Sequence, residues 1–67
     1  MQLEVNGKNL DFPENSTLFE VLKSMDLDNK PGIAVALNNK VVSKSAWAES
    51  KISSGDKILC INATQGG

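Results

Sequence analysis

Hydrophobic and polar residues alternate twice within the first dozen positions. Leu3 and Val5 are separated by Glu4, and after Asn6-Gly7 the alternation resumes with Leu10 and Phe12. A period of two puts one set of side chains on one face of a strand. Asn-Gly between two such runs is a strong hairpin signal, because a type I′ turn needs positive φ at both central residues. Met1 to Phe12 is therefore predicted to be a two-strand hairpin with Leu3, Val5, Leu10 and Phe12 on its apolar face. Pro13 has no amide donor for a ladder, so the second strand ends there.

The period then lengthens. Leu18, Val21, Leu22 and Met25 recur at i, i+3, i+4 and i+7, which gathers them on one stripe of a helix. Thr17 and Glu20 just ahead have capping-box spacing, in which hydroxyl and carboxylate satisfy two orphan amide donors. The spacing predicts an amphipathic helix of about two to three turns lying across the hairpin's apolar face. It should end before Asp28-Asn29-Lys30-Pro31-Gly32, a cluster rich in helix breakers. Phe19 and Met25 read as core packing rather than as the lining of a ligand pocket.

Alternation returns at Ile33 to Leu37, with Ile33, Val35 and Leu37 inward and Ala34 and Ala36 on the opposite face. Asn38-Asn39 fits a tight turn, since asparagine tolerates left-handed backbone, and Lys40-Val41-Val42 makes a short return strand. Ser43 to Lys51 has no clean period, and its conformation stays open. Trp47 in that segment reads as a lid on a small core rather than as an anchor for a partner. After a turn at Gly55-Asp56, Lys57 to Ala63 gives the longest strand signal. Its continuous apolar run, Ile58 to Ile61, predicts a central strand covered on both faces. Setting that strand beside the first and parallel to it satisfies every apolar face. The expected class is α+β, a mixed sheet of four to five strands with one main helix packed on one face.

Length limits what such a fold can do. With 67 residues the chain is one domain that buries only about 60% of its unfolded surface, too little to enclose a large active site. The seven basic residues are all lysine, against eight acids, for a net charge of -1. With Phe12, Phe19 and Trp47 as the only aromatics, this is a poor platform for nucleic acid. Histidine is absent, which removes the commonest general base, the commonest metal ligand and any Ser-His or Cys-His pair. No phosphate-binding or metal-ligand motif occurs, so the chain is expected to bind no cofactor itself. Cys60 is single, which allows no internal disulfide and fits a reducing compartment. Inside an apolar run it reads as a small hydrophobe and not a nucleophile. The start, Met1-Gln2-Leu3-Glu4, has neither a basic region nor an apolar stretch, so a cytoplasmic protein without a signal peptide or membrane span is expected.

The candidate chemistry lies at the other end. Residues 1-63 read as the folded body and 64-67 as a flexible tail ending in Gly66-Gly67. Glycine lacks a Cβ, so a diglycine end passes extended through a channel too narrow for other residues and brings its carboxyl carbon to a partner's reactive atoms.

Taken in order, Val5-Asn6-Gly7, Thr17-Leu18, Ala34-Val35-Ala36-Leu37-Asn38, Val41-Val42, Ser45-Ala46-Trp47, Gly55-Asp56 and Ala63-Thr64-Gln65-Gly66-Gly67 resemble the ubiquitin-like β-grasp proteins, and within them the sulfur carriers of the ThiS type. The likeness spans essentially the whole chain. It departs at Ser43-Lys44, where relatives often read Pro-Arg, and at Thr64, where many carry an aliphatic residue. The resemblance implies a substrate and carrier rather than an enzyme. A ThiF-like adenylyltransferase would use ATP and magnesium to adenylate Gly67, and a cysteine desulfurase persulfide would supply the sulfur of a thiocarboxylate. Thiazole synthase of the ThiG type would accept that sulfur. Gly66 would give clearance, with Gln65 and Thr64 supplying backbone contacts. The candidate docking patch is the outward sheet face, comprising Ala34, Ala36 and whichever of Leu59 or Cys60 points away from the helix. The resemblance implies a monomer when free, with neither nucleic acid nor membrane as partner. Three other readings stay open at this stage: a MoaD-like carrier for molybdopterin synthesis, a ubiquitin-like modifier of lysines, and a plain β-grasp interaction module.

Overall fold

A computed structural model describes residues 1-62. The hairpin forms as its turn chemistry dictates. Asn6 and Gly7 take φ of 53° and 84°, and they join β1 (Gln2–Val5) to β2 (Lys8–Asp11) with Leu3 opposite Leu10. Helix α1 (Leu18–Ser24) opens with the complete capping box between Thr17 and Glu20 and buries Leu18, Val21 and Leu22. It closes on a left-handed residue, Asp26 with φ of 62°. The Asp26 amide donates to the Lys23 carbonyl, and the Leu27 amide reaches back to Leu22. This pair of bonds is the Schellman arrangement, with aspartate where glycine is usual.

Strands β3 (Ile33–Leu37) and β4 (Lys40–Val42) pair antiparallel around Asn38 and Asn39, at φ of 52° and 71°. The open segment after β4 is a 3-10 helix, Lys44–Glu49, which turns Trp47 into the core as the expected lid. Three contacts tie the chain that follows to the start of α1. Leu18 donates to the Ser50 carbonyl at 2.8 Å, Ile52 donates to the Ser16 carbonyl at 3.1 Å, and Thr17 bridges Lys51. Strand β5 (Lys57–Asn62) then enters the middle of the sheet, parallel to β1 and antiparallel to β3. The strand order is β2-β1-β5-β3-β4. With one helix across one face, this is the ubiquitin-like β-grasp.

Two expectations need correction. The β5 run is central but covered on one face only: Ile58 is fully buried, whereas Leu59 and Ile61 are 45% and 51% exposed. An outward apolar residue and a buried one look alike in sequence. Leu10 faces the same side as the buried Leu3, yet β2 is exposed along its whole length because it forms the sheet's edge. Ala63, expected as the last residue of the body, and the tail 64-67 lie outside the described residues.

Candidate functional site

Strand β5 is fastened at its first residue, Lys57, and again at Cys60 by asparagine side chains that do the work of main-chain carbonyls. In a parallel ladder, residue 6 would donate to the carbonyl of residue 58 and accept from the amide of residue 60. Asn6 makes the first of these bonds, at 2.9 Å. Its backbone then swings into the left-handed turn, and its side-chain Oδ1 accepts the Cys60 amide at 2.8 Å in place of its own carbonyl. Asn38 repeats the arrangement at the start of the strand. Its amide donates to the Lys57 carbonyl at 2.8 Å, and its Oδ1 accepts the Lys57 amide at 2.9 Å. The Asn38 Nδ2 donates to Asp56 Oδ1, while Asp56 Oδ2 accepts the Ser53 amide. Asparagine suits both sites because it tolerates positive φ and carries a carbonyl of its own.

The uncovered sheet face has an apolar half and a polar half. Register places Val41 of β4 opposite Ala36, Ala36 opposite Leu59, and Ala34 opposite Ile61. Val41 is 79% exposed and the two alanines are half-buried. On the β1 side the face turns polar, with Glu4 level with Lys57 on β5 and with Asn9 on β2. Of the expected docking residues, Ala34, Ala36 and Leu59 share this face. Cys60 does not: it packs against the core between the outward Leu59 and Ile61, and burial pushes its thiol pKa up. Sequence reading left out Ile61 and Val41. Ile61 has the same parity as Leu59, and a two-residue turn at Asn38-Asn39 sets Val41 opposite Ala36. Gly67, Gly66, Gln65 and Thr64 lie outside the described residues.

A groove of about 700 Å³ runs between α1 and the 3-10 segment, on the helix side of the molecule, lined by Thr17, Phe19, Glu20, Lys23, Ser24 and Ala48. Glu20 is committed there to the helix cap. Phe19 and Met25 pack against the core as expected, with Phe19 also forming part of that groove's wall. Among the described residues, no group of three or more potential metal ligands comes together, and no helix is long and apolar enough to cross a membrane.

Comparison with known proteins agrees with this geometry. The model of the ThiS family matches residues 2-67. The chain is 30% identical to the sulfur carrier protein ThiS of Escherichia coli K12 over 67 residues, covering all of both chains. The crystal structure of the thiamine biosynthesis protein ThiS from Geobacter metallireducens superposes with a TM-score of 0.83 at 28% identity, again covering both chains fully. The solution structure of a thiamine biosynthesis protein from the same organism gives a TM-score of 0.78 at 28% identity, covering all of this chain and 88% of that one. A family match that runs through the hairpin, the helix, the central strand and the diglycine end leaves one conclusion: the chain belongs to the ThiS family.

Proposed function

We propose that this chain is a sulfur carrier of thiamin biosynthesis, with Gly67 as the residue that holds the sulfur. The observation that carries the reading is the extent of the family match, which takes in Gly66 and Gly67, together with a central β5 that leads directly into that segment.

A carboxylate is a poor electrophile, because its charge repels nucleophiles and oxide is a poor leaving group. Adenylation removes both obstacles: the Gly67 carboxylate attacks the α-phosphorus of ATP and pyrophosphate leaves. The terminal sulfur of a cysteine desulfurase persulfide then attacks the acyl carbon, and AMP departs. A thiol next attacks the enzyme-side sulfur of the resulting acyl disulfide, leaving the thiocarboxylate. This soft, anionic sulfur is the nucleophile delivered to thiazole synthase. The phosphate chemistry, with its ATP and magnesium, belongs to a ThiF-like activating partner. Docking would use the apolar half of the open face, with Leu59, Ala34 and Ala36 joined by Ile61 and Val41. An exposed apolar cluster rimmed by charge is the usual form of a protein contact.

The test is intact-protein mass spectrometry after incubation with ATP, a ThiF-like enzyme, a cysteine desulfurase, cysteine and a thiol reductant, with a Gly67-deleted chain as control. The expected result is exchange of one oxygen for one sulfur, confined to the C-terminal peptide and absent from the control. No exchange, with an activating enzyme competent on another carrier, overturns the reading. Higher-mass lysine conjugates would instead indicate a modifier.

A further inference from the structure

We propose that Asn6 is a site of spontaneous deamidation held closed by the hairpin turn. The reaction occurs in chains whose turn has opened, and it leaves part of them unable to re-form the turn.

Asn6 is the one asparagine of the chain that precedes a glycine. Deamidation begins when the backbone nitrogen of the next residue attacks the side-chain carbonyl carbon. Glycine is the best attacker, since it has no side chain to crowd the approach and its backbone turns freely. The new C–N bond closes a five-membered ring. The bond from that carbon to Nδ2 breaks, and ammonia leaves with the proton of the Gly7 amide. Water then opens the ring. Addition at the former side-chain carbonyl gives aspartate, and addition at the main-chain carbonyl gives isoaspartate, whose backbone runs through Cβ and Cγ.

The folded turn blocks the first step. Asn6 and Gly7 have φ of 53° and 84°, a type I′ turn in which ψ of the first residue is about 30°. At that angle the Gly7 nitrogen lies nearly opposite Asn6 Cβ across the Cα–C bond, whereas ring closure needs the two on the same side. The sheet order widens the gap, because β1 lies between β2 and β5. The Asn6 side chain is drawn to the β5 flank, where Oδ1 accepts the Cys60 amide at 2.8 Å, while Gly7 sets out for β2 on the other. The Asn6 amide is itself fixed on the Ile58 carbonyl at 2.9 Å. Rotation about ψ therefore carries Gly7 and β2 off the sheet, and ring closure releases both the pairing of Val5 with Lys8 and the Cys60 bond. Asn6 and Gly7 are both exposed, so geometry and not exclusion of water protects them.

An isoaspartate cannot restore the turn. It puts one more backbone atom between Val5 and Lys8 than a two-residue turn holds, and its carboxylate stands on Cα, one carbon short of where Oδ1 meets Cys60. An aspartate keeps both the turn and the acceptor. Asn38 supplies the comparison: it has φ of 52° and the same Oδ1 anchor on a β5 amide, but Asn39 follows it in place of glycine.

The experiment holds the full chain at mildly alkaline pH and one temperature, in buffer, in urea below the unfolding midpoint and in urea above it. Peptide mass spectrometry follows the amide-to-acid mass gain at Asn6 and Asn38, and electron-transfer fragmentation separates isoaspartate from aspartate. Above the midpoint Asn6 should convert while Asn38 stays intact. Below the midpoint and in buffer, conversion at Asn6 should be slower by about thirtyfold or more, the factor that two hydrogen bonds of ordinary strength imply. The isoaspartate product, returned to buffer, should show a lowered melting midpoint and faster hydrogen exchange at the Cys60 amide, whereas Asn6→Asp should match the wild type in both. Equal rates on the two sides of the midpoint, no conversion of Asn6 above it, or conversion of Asn38 as fast as Asn6 would each overturn the proposal. So would an isoaspartate product as stable as the wild type, or an Asn6→Asp chain destabilised as much as that product.

Discussion

The indole Nε1 of Trp47 donates to the carbonyl of Val42 at 3.1 Å, with the ring 1% exposed. One side chain from a segment without hydrophobic period thus fills the core and satisfies the carbonyl at the end of β4. Replacing it with alanine should cost about 3–5 kcal/mol, comparable with the whole stability of a small domain. Trp47→Phe should cost less, on the order of 1–3 kcal/mol, because it removes the donor and leaves the carbonyl to find another partner. Urea titrations followed by circular dichroism check both. The expected outcome is a lowered midpoint for phenylalanine and little or no cooperative transition for alanine.

The helix start gives a smaller and more local effect. Thr17 Oγ1 accepts the Glu20 amide at 3.2 Å and Glu20 Oε1 accepts the Thr17 amide at 2.9 Å. Thr17→Ala should cost about 1 kcal/mol. Glu20→Ala should cost less, because position 20 lies inside the helix, where alanine's high helix propensity offsets part of the lost bond. Hydrogen exchange resolves the two, with the Glu20 amide speeding up in the first variant and the Thr17 amide in the second.

Cys60 gives the stability an alkaline limb. Burial raises its pKa above that of a free thiol, so the folded chain holds the proton at pH values where the unfolded chain has released it. The protein is unpenalised below the ordinary thiol range and loses stability as pH rises from there through the raised folded value. Cys60→Ala removes this titration, so the gap between wild type and variant should be constant near neutrality and should shift in the variant's favour at alkaline pH. A gap independent of pH throughout would show that the thiol is not held in its neutral form. The same burial predicts slow alkylation near neutral pH, faster in urea, and sulfur transfer unaffected by Cys60→Ser.

What was legible in the sequence follows the reach of each force. The Asn6-Gly7 turn and the Thr17-Glu20 cap are set by residues at most three positions apart, and both formed as read. The helix end was less legible because Asp26, rather than a glycine, takes the left-handed position. The conformation of Lys44–Glu49 was not legible, since it is fixed from outside by the burial of Trp47 and by the bonds that tie Ser50 and Ile52 to the start of α1. Ile58 to Ile61 was half legible. Hydrophobicity placed it in the middle of the sheet but could not show that the face beneath Leu59 and Ile61 is left open. The asparagine anchors at Asn6 and Asn38 escaped entirely, because each acts on an amide of a strand distant in sequence.

That open face makes the last prediction sharp. Leu59 faces away from the core and neighbours Ala36, beyond which lies Val41, so Leu59→Lys replaces exposed apolar surface without disturbing buried packing. Its melting midpoint should stay near the wild-type value, as for surface substitutions generally. If the apolar half of the face seats the activating enzyme, Leu59→Lys places a charge where the partner expects an apolar contact, and KM should rise about tenfold or more. Val41→Lys, at the edge strand, should have a smaller effect in the same direction, since rim contacts contribute less than central ones. Lys8→Glu on the exposed β2 should have little effect on KM at moderate salt. A Leu59→Lys chain that folds and is activated with wild-type KM would remove this face as the docking surface.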